Sequence, residues 1–83
     1  MVKHVDSEKL CEVIKDSAAF GLNESVSKKC KSLYILDTYY EHFKTRIDNL
    51  EGFKIYTFDL KSIKRAAESI GRPHKIRVVG VHG

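Results

Sequence analysis

The chain has 83 residues, of which 42% are hydrophobic, and its 15 lysines and arginines exceed its 11 acidic residues to give a formal net charge of +4. A chain of this length forms one small domain, because it buries only about 60–65% of its unfolded surface. No apolar run approaches the roughly 20 residues of a membrane span, no secretory leader is recognisable, and two cysteines without CxxC spacing argue against a disulfide scaffold or a zinc knuckle. We therefore expect a single domain over residues 1–83 in the cytoplasm, without a cofactor or a bound metal.

The first predicted element is an amphipathic helix from about Ser7 to Phe20. Asp6 or Ser7 is expected to cap it, since either side chain accepts hydrogen bonds from the free N–H groups of the first turn. Apolar residues recur at helical spacing, and Gly21 offers a left-handed stop.

A second, longer helix is predicted over residues 24–51, because no glycine or proline interrupts the sequence after Asn23. Its apolar residues follow a 3-4 spacing, typical of a coiled-coil seam, at Leu33, Leu36, Tyr40, Phe43, Ile47 and Leu50. Such a helix would be ~40 Å long, which is long for a domain of this size. The stripe therefore predicts a break near Asp37, a packing surface within the monomer, or an interface with a partner protein or a second copy of the chain.

The C-terminal third predicts a β-α-β unit. A strand over residues 53–58 is followed by a helix over residues 60–70, with Asp59 as its cap and Gly71 as its stop. A second strand follows over residues 75–81, and a right-handed crossover would make the two strands parallel. The expected fold class is thus α+β in the order α-α-β-α-β, with a long second helix and a C-terminal β-α-β unit.

The positive charge lies almost wholly in this C-terminal third. Residues 1–51 carry eight basic and nine acidic side chains, whereas residues 52–83 carry seven basic and two acidic ones, so the net charges are −1 and +5. This asymmetry indicates a surface that faces phosphate or an acidic partner, unless it is a solvated face that keeps a small protein soluble. The predicted phosphate-binding residues are Lys54, Lys61, Lys64, Arg65, Arg72, Lys75 and Arg77.

Aromatic residues are interleaved with these cations. Lys54, Tyr56 and Phe58 share one side of their predicted strand, because side chains alternate along a strand. Cations that neutralise phosphates and rings that stack on bases are what single-stranded nucleic acid requires, so Tyr56 is the first candidate for stacking and RNA is favoured over DNA. Alternatively, the long second helix covers this face and buries Tyr56 and Phe58.

Catalysis is not expected from this sequence. The four histidines are scattered without the spacing of a metal site, and both cysteines lie on or near apolar stripes. His74 lies among cations but lacks a paired acid or a second histidine.

Two resemblances bear on function. Residues 62–71, SIKRAAESIG, resemble the first helix and turn glycine of small helix-turn-helix units, such as those in phage homing-endonuclease tails, but a β-branched run follows instead of a recognition helix. In its size, its basic segment over residues 60–83 and its lack of catalytic residues, the chain resembles the small basic accessory proteins of T4-like phages, among them TifA-type inhibitors of the ToxN toxin nuclease. That resemblance implies a regulatory protein of the host cytoplasm that binds RNA and antagonises a host toxin or nuclease. The rival prediction is a protein–protein inhibitor or adaptor that acts through the long second helix without contacting nucleic acid.

Overall fold

The structure, a computed structural model, describes residues 3–71 and 76–82. Within these ranges, short helices and strands alternate in the order β1 (Lys3–His4), α1 (Ser7–Lys15), β2 (Ala19–Phe20), α2 (Leu22–Ser27), β3 (Ser32–Leu36), α3 (Asp37–His42), α4 (Lys44–Asp48), β4 (Lys54–Phe58), α5 (Leu60–Ile70) and β5 (Val78–Val81). The mixture of helices and strands agrees with an α+β class. The predicted order α-α-β-α-β is wrong.

The strands form one mixed sheet in the order β1-β4-β3-β5-β2. Strands β1, β4 and β3 run parallel to one another, whereas β5 is antiparallel to both of its neighbours, β3 and β2. No helix in the described ranges is long and apolar enough to cross a membrane.

The central strand, β3, is the largest departure from the sequence prediction. All five of its residues are buried, and a strand covered on both faces reads as a continuous apolar run, which periodicity does not distinguish from a buried helix. Helix α2 ends at Ser27, and Lys29, with a φ of 56°, then turns the chain away from the helical path. The prediction of one long helix over residues 24–51 is therefore wrong.

The residues of the predicted apolar stripe are divided among several elements. Leu33 and Leu36 lie in β3 and belong to different core clusters, and Ile47 in α4 is fully buried. Tyr40 lies in α3, Phe43 lies between α3 and α4, and Leu50 follows α4. Because these side chains share no continuous helical face, the predicted protein interface and homodimer seam have no long helix to follow, and a partner contact at these residues stays a prediction.

Helices cover both faces of the sheet. On one face, α1 and α5 pack together and bury a cluster that includes Leu10, Ile14, Phe58, Ile63 and Val79. On the other face, α2 and α4 bury a second cluster, formed by Leu22, Leu33, Ile35, Ile47 and Val78. The core thus consists of two apolar layers separated by the sheet.

The local predictions around α5 are confirmed. Asp59 Oδ1 accepts a hydrogen bond of 2.7 Å from the backbone N–H of Ser62, and Gly71 ends the helix with a φ of 70°. Helix α1 likewise begins at Ser7 under an Asp6 cap. It ends at Lys15 rather than at Phe20, however, because Ala19–Phe20 forms the edge strand β2 beside β5.

The predicted C-terminal β-α-β unit with two parallel strands is wrong. Strand β3 lies between β4 and β5, and β5 runs antiparallel to it. The alternation of side chains predicts that a segment is a strand but does not predict which strand it pairs with. Here β3 pairs with β4 on one side and with β5 on the other, so β4 and β5 do not pair with each other. The last strand is Val78–Val81 rather than residues 75–81.

Candidate nucleic-acid interface

Three of the predicted cations, Lys61, Lys64 and Arg65, lie together on the outer side of α5, and we name this set the basic face. The opposite side of the helix buries Ile63, Ala66 and Ala67, so residues three and four positions apart leave the basic face in solvent. All three cations are exposed, and none of them forms an ion pair with a residue in the described ranges. They are therefore free to contact an external anion.

Two carboxylates border the basic face. A shallow depression of about 400 Å³ is lined by the three cations together with Asp59 and Glu68, so its lining residues carry a net charge of +1. Asp59 is held by the structure itself, since it caps α5 and its Oδ2 lies 3.6 Å from His4 Nε2. Hydrogen bonds from Ser62, and to a lesser degree from His4, hold the pKa of Asp59 below its ordinary value. This carboxylate is thus an ionised cap at neutral pH.

A groove beside the start of α5 gathers aromatic side chains, and we name it the aromatic groove. Its volume is about 750 Å³, and its lining residues are Leu36, Thr38, Tyr39, His42, Phe43, Leu60, Ile76 and Arg77. The ring centroids of Tyr39 and Phe43 are 4.7 Å apart, and those of His42 and Phe43 are 5.8 Å apart. Phe43 is 37% exposed and Leu60 is 57% exposed. The groove therefore presents apolar and aromatic surface to solvent.

The aromatic groove lies at the carboxyl ends of two parallel strands. Leu36 is the last residue of β3, and Leu60 follows β4 by two positions. Ligands of open α/β sheets commonly bind outside the carboxyl ends of the strands. The groove is thus located where such sheets tend to place a binding site.

Aspartates follow β1, β3 and β4 at this same edge, but each already accepts a backbone hydrogen bond: Asp6 and Asp59 cap α1 and α5, and Asp37 accepts from the next N–H at the start of α3. The carboxylates of Asp6, Asp37 and Asp59 accept hydrogen bonds from the backbone N–H groups of Lys9, Thr38 and Ser62. Within the part of the chain that the structure describes, no group of three His, Cys, Asp or Glu residues is placed to hold a metal ion. These aspartates are therefore assigned to helix and turn formation.

The remaining predicted cations are not gathered with the basic face. Arg77 lines the aromatic groove, and Lys54 lies at the opposite end of β4 from the start of α5, in a depression that Lys3 also lines. Arg72 and Lys75 lie outside the described residues. Three of the seven predicted cations thus share the basic face, and a fourth, Arg77, lies in the adjoining aromatic groove.

Tyr56, the predicted stacking residue, is already stacked within the protein. Its ring lies 4.7 Å from that of Tyr34 with an interplanar angle of 12°, and both rings pack against the core beneath α1 and α5. Burial, and to a lesser degree the neighbouring Tyr56, raises the pKa of Tyr34. The alternative prediction, that the long second helix covers this side of the strand and buries Tyr56 and Phe58, is correct only for the burial of Phe58. Tyr56 is partly buried, and the covering helices are α1 and α5.

Sequence reasoning missed the aromatic groove because it placed Phe43 in an apolar stripe on a long helix. A local signal was present nonetheless, since four of the five residues over 39–43 carry aromatic rings when the histidine is included. Such a density of rings exceeds what one buried helix face requires. It indicates that some of them face solvent or a ligand.

Comparison of the chain with protein-family models, curated protein sequences and solved structures finds no match in any of the three.

Proposed function

We propose that the protein is a non-catalytic regulatory protein that binds nucleic acid, with RNA favoured, through phosphate contacts made by the basic face. The supporting observation is that Lys61, Lys64 and Arg65 share one exposed helix face and form no ion pair within the described ranges. A phosphate contact at this face breaks no existing ion pair. It also releases counterions from the nucleic acid, which favours binding.

The proposal makes a quantitative statement about salt. Three phosphate contacts on a single strand predict a slope of about −2 for the logarithm of the association constant against the logarithm of salt concentration. Affinity should therefore fall by roughly tenfold or more between about 50 and about 200 mM salt.

The test uses the full chain and fluorescence anisotropy with a short labelled RNA at several salt concentrations. The triple variant Lys61→Gln, Lys64→Gln and Arg65→Gln should lose most of its affinity and give a much shallower salt slope. The matched control, Lys9→Gln, Lys29→Gln and Lys31→Gln, removes the same charge from exposed lysines elsewhere and should bind nearly as well as the parent. A basic-face variant that binds no worse than this control refutes the proposal.

The favoured partner is tested with single-stranded DNA of the same sequence, which we expect to bind more weakly than the RNA. A 2′-hydroxyl is the group that distinguishes the two at any one contact. Equal or tighter binding of the DNA would refute the preference for RNA.

From the resemblance to small phage accessory proteins, we further propose that this RNA binding serves to antagonise a toxin nuclease in the host cytoplasm. Cells that express such a toxin should grow when the parent protein is co-expressed, and should fail to grow with the basic-face triple variant. Equal rescue by the triple variant would instead favour a protein–protein inhibitor. Capture from host lysate with and without nuclease treatment separates the two cases, because RNA-mediated partners are lost on treatment.

A further inference from the structure

The aromatic groove combines two of the three exposed large apolar side chains of the described residues with a cation. The exposed large apolar residues in those ranges are Leu60, Val26 and Phe43, and two of these three line the groove. Phe43 is in contact with two further rings, those of Tyr39 and His42. Exposed apolar side chains that adjoin one another in a groove are typical of ligand-binding sites, whereas singly scattered ones are not.

The charge of the groove narrows the chemistry of its ligand. Among the described residues that line the groove, Arg77 is the only charged one when His42 is neutral, and none is a carboxylate. A ligand that presents a flat, apolar face and carries negative charge nearby matches both properties. An unpaired nucleotide is such a ligand, because its base stacks on aromatic rings while its phosphate pairs with a cation.

The position of the groove relates it to the basic face. Leu60 lines the groove, and the next residue in the chain, Lys61, belongs to the basic face. A strand whose phosphate contacts Lys61 therefore brings its adjacent base to the Leu60 side of the groove. The volume of about 750 Å³ falls within the range of about 300–1,000 Å³ that is typical of small-ligand sites.

We infer that the aromatic groove accepts unpaired bases of a single strand whose phosphates lie on the basic face, so that the protein discriminates single strands from duplexes. This inference rests on the proposed function. The phosphate contacts supply affinity for any nucleic acid, whereas the groove supplies the preference for unpaired bases. Phe43, rather than Tyr56, is the principal stacking ring.

The experiment compares binding of a single-stranded RNA, its duplex and an abasic strand of equal length by the full-length protein. A fluorescent base analogue in the single strand reports stacking as quenching. The parent protein should bind the single strand more tightly than the duplex or the abasic strand. Phe43→Ala should weaken single-strand binding by about tenfold and abolish the quenching, with duplex binding unchanged.

Two further variants control for folding and exposure. Phe43→Leu keeps an apolar side chain without a ring, so it should fold like the parent and still lose quenching. Val26→Ala shortens an exposed apolar side chain outside the groove and should leave single-strand binding and quenching unchanged.

The possible outcomes separate this inference from the proposed function. If the duplex and the single strand bind equally and Phe43→Ala changes neither, the inference is overturned while phosphate binding stands. If no nucleic acid binds at all, the proposed function is refuted and the inference that rests on it is overturned as well. If Phe43→Ala weakens binding of an acidic aromatic peptide but leaves RNA binding unchanged, the groove is a peptide site and the inference is overturned.

Discussion

Replacing Gly80 by alanine should destabilise the fold. Gly80 belongs neither to the basic face nor to the aromatic groove. Gly80 lies in β5 between β3 and β2, and it faces Ser25 in α2 and Cys30 just before β3. A Cβ atom at this position would overlap Ser25 Oγ and lie only 2.8 Å from Ser25 Cβ and 2.9 Å from Cys30 Sγ. Separations below 3.0 Å require that something move.

Neither neighbour has room to move. Ser25 is fully buried and its hydroxyl donates a hydrogen bond of 2.7 Å to the carbonyl oxygen of Gly21, while Cys30 is 2% exposed. Overpacking of such a site costs about 1–3 kcal/mol of the free energy of unfolding. In a domain of this size each kcal/mol corresponds to about 4–8 °C, so Gly80→Ala should lower the Tm by roughly 5–20 °C.

Thermal and urea denaturation followed by circular dichroism measure this effect, and a double-mutant cycle tests its cause. Ser25→Gly removes the side-chain atoms closest to the new methyl group. Alone it should destabilise the protein, because it deletes a hydrogen bond and adds a helical glycine, but in the Gly80→Ala background it should cost less or restore stability. A Gly80→Ala protein with an unchanged or higher Tm, or strict additivity in the cycle, would show that the packing around β5 is not as described.

Two other predictions concern the cap of α5 and the second face of the sheet. Asp59→Ala should lower the free energy of unfolding by about 1 kcal/mol at neutral pH, whereas Asp59→Asn should cost little because asparagine caps equally well. Because the folded-state pKa of Asp59 is lowered, the stabilisation by its charged form is complete above about pH 4 and is lost as the pH falls through the lowered pKa. The parent should therefore lose stability relative to Asp59→Asn as the pH falls through this range, and a constant difference between their urea midpoints would contradict the role of the charge. Ile47→Ala should cost about 2–5 kcal/mol and Phe43→Ala no more than about 1 kcal/mol, since the first is fully buried and the second is partly exposed; equal costs in calorimetry would contradict the placement of α4 on the sheet.

The two candidate surfaces play different parts in the proposed function. The basic face is made by one helix, so its three cations are brought together by local geometry alone. The aromatic groove is made by α3, the start of α5 and the residues before β5, so it exists only when the sheet has formed. Partial unfolding should therefore remove the preference for single strands before it removes salt-dependent binding.

Features that depend on a few neighbouring residues were accessible from the sequence. The capping of α1 by Asp6, the cap and stop of α5 at Asp59 and Gly71, and the exposed side of α5 all follow from interactions within one or two turns. The concentration of positive charge in the last third is likewise a property of the chain itself. These signals placed the basic face correctly because a helix specifies its own faces.

Features that depend on distant partners were not accessible. Leu33 and Ile35 have the same apolar character in a buried strand as in a buried helix, and only pairing with β4 and β5 makes them a strand. Phe43 reads as one more member of an apolar stripe until that stripe is divided between two faces of the sheet. The stacking of the partly buried Tyr56 on Tyr34 also depends on contacts between residues far apart in the chain.

Local hydrogen bonding and composition specify where helix α5 begins and ends, which side of it is charged and that the chain has enough apolar residues for a core. These features can therefore be read from the residues alone. Only the assembled fold makes β3 the central strand, stacks the partly buried Tyr56 on Tyr34 and leaves Phe43 exposed beside Arg77. The physical reason is that burial is a property of the assembled sheet and its two helical layers, and the same side chain becomes core or ligand-facing surface according to what packs against it.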